Sequence, residues 1–213
     1  MKPSTNLQVG REAMSEESTF KAVALAIFVS FSLIGMYHRI RAHQPDEKIS
    51  RKEEGRPIMI LLRLFGFAFW IGVIIYLIRP PWMGWSQLPL PPWFRWTGAA
   101  LGAVCVPLFY WVFTSLGKNV TDTVITRKEA TLVTHGPYRW VRHPLYSVAA
   151  VFLVALALLL SNWFILLMGV LALILLALRT PIEEAKLIEK FGDEYREYMK
   201  CTGRFIPRLL RSN

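Results

Sequence analysis

Charge is scarce in this chain. Only 19% of its 213 residues are Asp, Glu, Lys or Arg, while 54% are hydrophobic. Soluble domains carry roughly 25% charged residues, so an ordinary soluble fold is excluded. Cysteine is scarcer still: Cys105 and Cys201 form neither a disulfide framework nor a zinc-type spacing, and the redox compartment is not readable from them. The four histidines, His38, His43, His135 and His143, show no H-x-x-x-H pattern, so no metal is expected. A Gly-rich phosphate loop is missing, as is any Ser/His/Asp or Cys/His relay. The start lacks the basic region of a cleaved signal peptide, with Glu12, Glu16 and Glu17 in its place, and the final Arg-Ser-Asn is no lipidation box.

Long apolar runs are what the chain has. Crossing a bilayer takes roughly 20 apolar residues in a helix. Runs of about that length predict spans from about Phe20 to Tyr37, Ile58 to Ile78, and Trp93 or Thr97 to Ser115. Two shorter runs, Leu145 to Leu160 and Trp163 to Leu178, are separated only by Ser161-Asn162, which forces an antiparallel hairpin. The expected fold is an all-α integral membrane protein of about five transmembrane helices, the last two forming the hairpin, with a C-terminal amphipathic helix. Residues 1 to about 18 are expected to be loosely ordered. Pro107 is expected to kink the third span.

The net charge of +10 sits between the apolar runs rather than on one soluble face, which speaks for a membrane and against nucleic acid. His38–Pro57, Leu116–His143 and the tail from Thr180 are rich in Lys and Arg. The Arg79–Trp96 connection, which carries four tryptophans, and the Ser161-Asn162 turn are poor in them. The positive-inside rule then puts the N-terminus outside and the C-terminus in the cytoplasm. The compartment would be the plasma membrane of a prokaryote or the endoplasmic reticulum of a eukaryote. The chain divides into residues 1–115, a tail with three spans, and 116–213, a catalytic region.

Two polar clusters stand out. The first is His135–Pro144, HGPYRWVRHP, followed by Leu145 and Tyr146; the second is Arg179-Thr-Pro-Ile-Glu-Glu184. The hairpin would bring them to one membrane surface. Arg142-His143-Pro144 serves as a cationic anchor and helix start, Pro144 being suited to the first helical position. The same helix N-terminus can seat an anion, with Arg142 forking onto a carboxylate and His143 donating or accepting. Thr180, Pro181 and Glu183 have the spacing of a capping box, which leaves Glu184 as the carboxylate with no structural duty. Downstream, Ile188, Phe191, Tyr195 and Tyr198 make an apolar stripe, and Gly192-Asp193 reads as one helix ending and another being capped. Gly203–Pro207 would bring Arg204 back toward the clusters.

These residues resemble the isoprenylcysteine carboxyl methyltransferase family and its phospholipid methyltransferase relatives. The resemblance rests on Leu132-Val133, Gly136-Pro137-Tyr138, Arg142-His143-Pro144 with Tyr146, Arg179 with Glu183-Glu184, Phe191–Tyr195, Tyr198 and Arg204, and covers about Leu116 to Pro207. It departs from the family at Val148 and at Thr121-Asp122, which bears on the acceptor's shape. It implies a methyltransferase using S-adenosylmethionine on a lipophilic acceptor drawn from membrane lipids or a lipidated substrate. His143, Tyr146 and Glu184 would contact the cofactor, with Arg142 and Glu183 beside them and Leu132, Val133 and Tyr138 lining the pocket. Arg179 and Arg204 would orient the acceptor. A carboxylate acceptor, with a pKa near 3.5, needs no base; an amine headgroup would call on Glu184 or Glu183. A membrane reductase with a similar C-terminal half is the rival enzyme. A transporter is disfavoured, because no span carries an acidic relay residue or a broken-helix pair.

Overall fold

The structure is a computed structural model that describes residues 5–42, 56–117 and 131–208. All regular elements among these are helical, as the sequence predicts. They are α1 (Thr5–Ala42), α2 (Arg56–Ile78), a 3-10 turn (Pro80–Ser86), α3 (Pro92–Leu116), a second 3-10 turn (Gly136–Arg139), α4 (Pro144–Leu160), α5 (Trp163–Phe191) and α6 (Asp193–Cys201). The loop residues His43, Lys48, Arg51, Lys52, Lys118, Arg127, Lys128, Thr121 and Asp122, which carry the loop charge and the departures from the family pattern, lie outside the described residues.

Among the described residues, four helices are long and apolar enough to cross a membrane: α1 from Ser15, α2 from Pro57, α3 and α5. The fifth, α4, has 17 residues, or about 25 Å of helix, slightly less than a bilayer's hydrocarbon thickness. It forms the expected hairpin with α5 through Ser161, whose φ of 49° is left-handed. Asn162 caps α5 by accepting the Ile165 N–H at 3.1 Å. Its amide donates to Ser86 Oγ at 2.8 Å, and the Leu88 N–H reaches Ser161 O at 2.6 Å, so the connection before α3 is stitched to the hairpin turn.

α3 and α4 lie closest together. A Cβ on Gly98 would sit 2.6 Å from the Ala155 carbonyl, so only glycine admits this approach. In the centre the Phe31 ring of α1 lies between Phe109 of α3 and Phe152 of α4, at 3.9 and 3.7 Å between centroids. The core thus joins the first three helices to the hairpin in one body.

Two expectations are corrected here. The N-terminal segment is helical from Thr5, and Glu17 is tied down: Arg95 donates to it at 2.6 and 3.3 Å and Tyr76 at 2.8 Å. The capping box is also absent. Helix α5 runs unbroken through Pro181 to Phe191, so Thr180 and Glu183 lie mid-helix, and the Thr180 hydroxyl donates to Leu176 O at 2.9 Å instead of capping. An interior proline forfeits one helical hydrogen bond and normally breaks the helix. Here the extension past Pro181 is tied to the rest of the chain by Glu184, whose buried carboxylate pairs with Arg142 and Arg204. Gly192 ends α5 as expected, with φ of 59°; Asp193 lies in the first turn of α6 and makes no cap hydrogen bond.

Candidate active site

A cavity of about 550 Å³ opens where the two polar clusters meet. Its polar end is walled by Thr131, Tyr138, Arg142, His143, Tyr146, Arg179 and Glu183, with Tyr195 and Tyr198 of α6 over it and Arg39 of α1 at its side. Its other end is apolar and runs between the helices to Phe69 and Trp70 of α2, Leu153 of α4 and Gly169 of α5. From Phe191 to Gly169 the lining of α5 spans 23 residues, about 33 Å of helix end to end, so the cavity reaches from the polar face deep into the bundle.

Local sequence explains the polar wall. Gly136 adopts φ of 60°, and a Cβ there would collide with Ser115 Oγ; only glycine lets the 3-10 turn lie against α3. The turn buries Tyr138, whose backbone carbonyl accepts the Tyr198 hydroxyl at 2.6 Å. Burial pushes the Tyr198 hydroxyl up to about 12, the Arg142 charge pulling the other way. Burial raises Tyr138 as well, assisted by Tyr198 and Glu183. Both phenols therefore stay protonated at physiological pH.

The chain then reaches His143, which is buried and precedes the first turn of α4. The two glutamates after Pro181 flank it. His143 Nε2 lies 3.4 Å from Glu184 Oε1, and its Nδ1 lies 3.9 Å from Glu183 Oε1. Their environments differ. Glu184 is 3% exposed and receives Arg142 Nε at 2.8 Å and Arg204 Nη2 at 2.5 Å in addition to the histidine. Glu183 accepts the Tyr146 hydroxyl at 2.8 Å and borders the cavity.

The sequence-predicted residues therefore fall into two groups. Leu132, Val133, Tyr138, Arg142, His143, Tyr146, Arg179 and Glu183 all line the cavity. Glu184 and Arg204 are joined to each other behind that wall. Arg142 does not present its fork to the cavity: Nε goes to Glu184, and Nη1 donates to Met199 O at 3.1 Å and Thr202 O at 2.5 Å. Arg204 does fold back to the clusters, as expected. Sequence reasoning did not pick Arg39, Thr131, Tyr195 or Tyr198 as cavity residues. The two tyrosines were legible as an apolar stripe, able to pack or to act as a lid over the site, and as part of the family resemblance, and Arg39 only as a loop-proximal charge.

The residues suit S-adenosylmethionine. Its sulfonium is a cation that aromatic faces and a carboxylate stabilise, and Tyr138, Tyr146 and Glu183 supply both at one wall. Among the described residues no group of His, Cys, Asp or Glu is arranged to hold a metal ion.

The profile of the isoprenylcysteine carboxyl methyltransferase (ICMT) family matches residues 99–189. Among curated proteins, the chain is 24% identical over 156 residues to the uncharacterized protein YpbQ of Bacillus subtilis, covering 70% of this chain and 86% of that one. It is 32% identical over 116 residues to the protein-S-isoprenylcysteine O-methyltransferase of Schizosaccharomyces pombe, covering 52% of this chain and 49% of that one. The chain thus spans about half the length of the fission yeast protein. Its fold resembles the solved structure of the eukaryotic intramembrane Ras methyltransferase ICMT. The TM-score is 0.52 at 20% identity, with 87% of this chain and 67% of that one covered. These matches bear out the resemblance seen in the sequence and the all-helical membrane fold it implied.

Proposed function

We propose that this chain, whose likeness to the isoprenylcysteine carboxyl methyltransferase family spans residues 99–189, is a membrane methyltransferase. In this reading it uses S-adenosylmethionine and transfers the methyl group to the carboxylate of a prenylcysteine-like acid. The observation that carries the reading is the shape of the cavity: one charged, aromatic end at the polar face, continuous with an apolar end between the spans. Such a cavity suits a polar donor meeting an acceptor whose tail remains among lipid-facing helices. The donor, when bound, supplies an electrophilic methyl group on a cationic sulfur.

The protein's part is to position and to exclude water. Tyr138, Tyr146 and Glu183 hold the donor's positive end, and Leu132 and Val133 flank it. Arg179, on α5 at the polar end, orients the acceptor's carboxylate. That carboxylate is already ionised, so it needs no base. An amine acceptor remains the second reading, and the observation favouring it is Glu183, a carboxylate on the cavity wall able to take a proton. Residues 116–213 supply most of the polar wall, and this reading makes them the catalytic region. Arg39, Phe31 and Trp70 bring the first helices into the same cavity. In this reading the polar end faces the cytoplasm, the side that the loop charges favour.

Purified protein in lipid nanodiscs, given methyl-labelled S-adenosylmethionine, should label an S-prenylated N-acetylcysteine in base-labile form. It should not label the methyl ester of that compound. Label in phosphatidylethanolamine alone would replace the carboxylate reading with the amine one. No donor binding, with nicotinamide cofactor bound instead, would favour the reductase.

A further inference from the structure

We infer that Glu184 is a positioning residue: it fastens the C-terminal strap Thr202–Phe205 across the start of α4, while its neighbour Glu183 is the carboxylate presented to the cavity. The second half of this statement rests on the function proposed above; the first half does not.

The strap returns to the polar cluster and pairs with it residue by residue. The Gly203 N–H donates to Trp140 O at 3.1 Å, the Arg142 N–H to Gly203 O at 2.8 Å, and the His143 N–H to Arg204 O at 3.0 Å. Ser147 Oγ donates to Phe205 O at 2.5 Å. The Phe205 ring then lies 5.9 Å from that of His143 and 6.4 Å from that of Tyr146, so the strap backs the two aromatic side chains at the cavity's polar end. The amides of Arg142 and His143 are thereby occupied by the strap and are not offered to a ligand.

The side chains that bind the strap converge on one carboxylate. Arg142 joins Thr202 O to Glu184 Oε1, and Arg204, itself in the strap, donates to Glu184 Oε2. Glu184 is 3% exposed and does not border the cavity, whereas Glu183 does. Two adjacent helical residues point about 100° apart, so one glutamate cannot serve both positions. A buried carboxylate holding charged donors makes strong hydrogen bonds, and removing its charge leaves the arginines facing a poorer acceptor.

The test is amide hydrogen exchange of the strap in the full-length protein, without donor or acceptor. Glu184→Gln should speed exchange at Gly203 about tenfold or more, the scale of losing a charged hydrogen bond. Glu183→Gln should leave it unchanged. Arg204→Ala removes only the more exposed partner, so it should fold even if Glu184→Gln does not, and it should accelerate the same amide. Parent-like exchange at Gly203 in Arg204→Ala would overturn the fastening role. Kinetics supply the second readout. Glu184→Gln should raise KM for S-adenosylmethionine while keeping kcat within about twofold, because the chemistry's own groups stay in place. A collapse of kcat with KM unchanged would mean that Glu184 acts on the reacting atoms, and would overturn the assignment. The exchange result is independent of what the cavity binds, so a failure of the proposed function leaves it standing.

Discussion

Arg95 and Glu17 are 78 residues apart in sequence and form a two-contact ion pair, at 2.6 and 3.3 Å, near the start of α3, whose far end lines the cavity. Arg95 Nε also donates to Leu159 O at 3.0 Å, and the guanidinium lies 4.0 Å from the Phe20 ring centroid. Tyr76 completes the cluster, so α1, α2, α3 and α4 meet on these side chains. Removing one member of such a pair leaves the other desolvated. Arg95→Met is expected to destabilise the detergent-solubilised protein by about 2–4 kcal/mol. Glu17→Gln, at the more exposed partner, should cost less, about 1 kcal/mol. Thermal unfolding would measure both, and equal effects would mean that the backbone and ring contacts of Arg95 contribute nothing.

Arg179 is 8% exposed and borders the cavity where α5 leaves its apolar run. A membrane-surface anchor is served equally by lysine, whereas a carboxylate fork is not. Arg179→Lys should therefore insert and bind S-adenosylmethionine normally, yet lose most methyl transfer to a prenylcysteine acid. Near-parental transfer would reduce Arg179 to an anchor and turn attention to an amine acceptor.

Pro181 lies inside α5 between Arg179 and the two glutamates. Replacing an interior proline with alanine restores a helical hydrogen bond, a gain of up to about 3 kcal/mol in an unstrained helix. It also changes the local helix path and rotates the last turns of α5, including both glutamates. Pro181→Ala is expected to raise the unfolding temperature and lower methyl transfer together. Equal or higher activity would show that the proline does not aim Glu183 at the cavity.

Topology can be read from single cysteines in a variant lacking Cys105 and Cys201. Ser86, in the tryptophan-rich connection, is buried against Asn162 and would label poorly, so the exposed Gln87 is the better position there. Glu189, exposed near the end of α5, reports the cavity's polar face. An impermeant reagent on sealed vesicles should reach these two from opposite sides. Labelling of both from one side would overturn the orientation inferred from loop charge.

The sequence by itself determined that this is a multi-pass helical membrane protein, and it singled out His135–Tyr146 and Arg179–Glu184, the two clusters whose residues meet at one cavity. Apolar run length and the spacing of loop charges report directly on the bilayer, a solvent common to all such chains. Two residues between apolar runs leave no choice but a hairpin. The division of roles within the site was decided only by tertiary structure. A capping box and a continuous helix with an internal proline share one local pattern, and only the fold, which pairs Glu184 with Arg142 and Arg204, shows which one forms. The local pattern assigned Glu183 the structural duty and left Glu184 free, whereas in the fold Glu184 is buried against two arginines and Glu183 borders the cavity. What separates them is their direction on the helix and the choice of Glu184 as partner by Arg204, whose return toward the clusters the sequence suggested without naming which glutamate it would meet. The same holds for Glu17, which looked like part of a polar tail until Arg95 and Tyr76 were brought to it across the bundle.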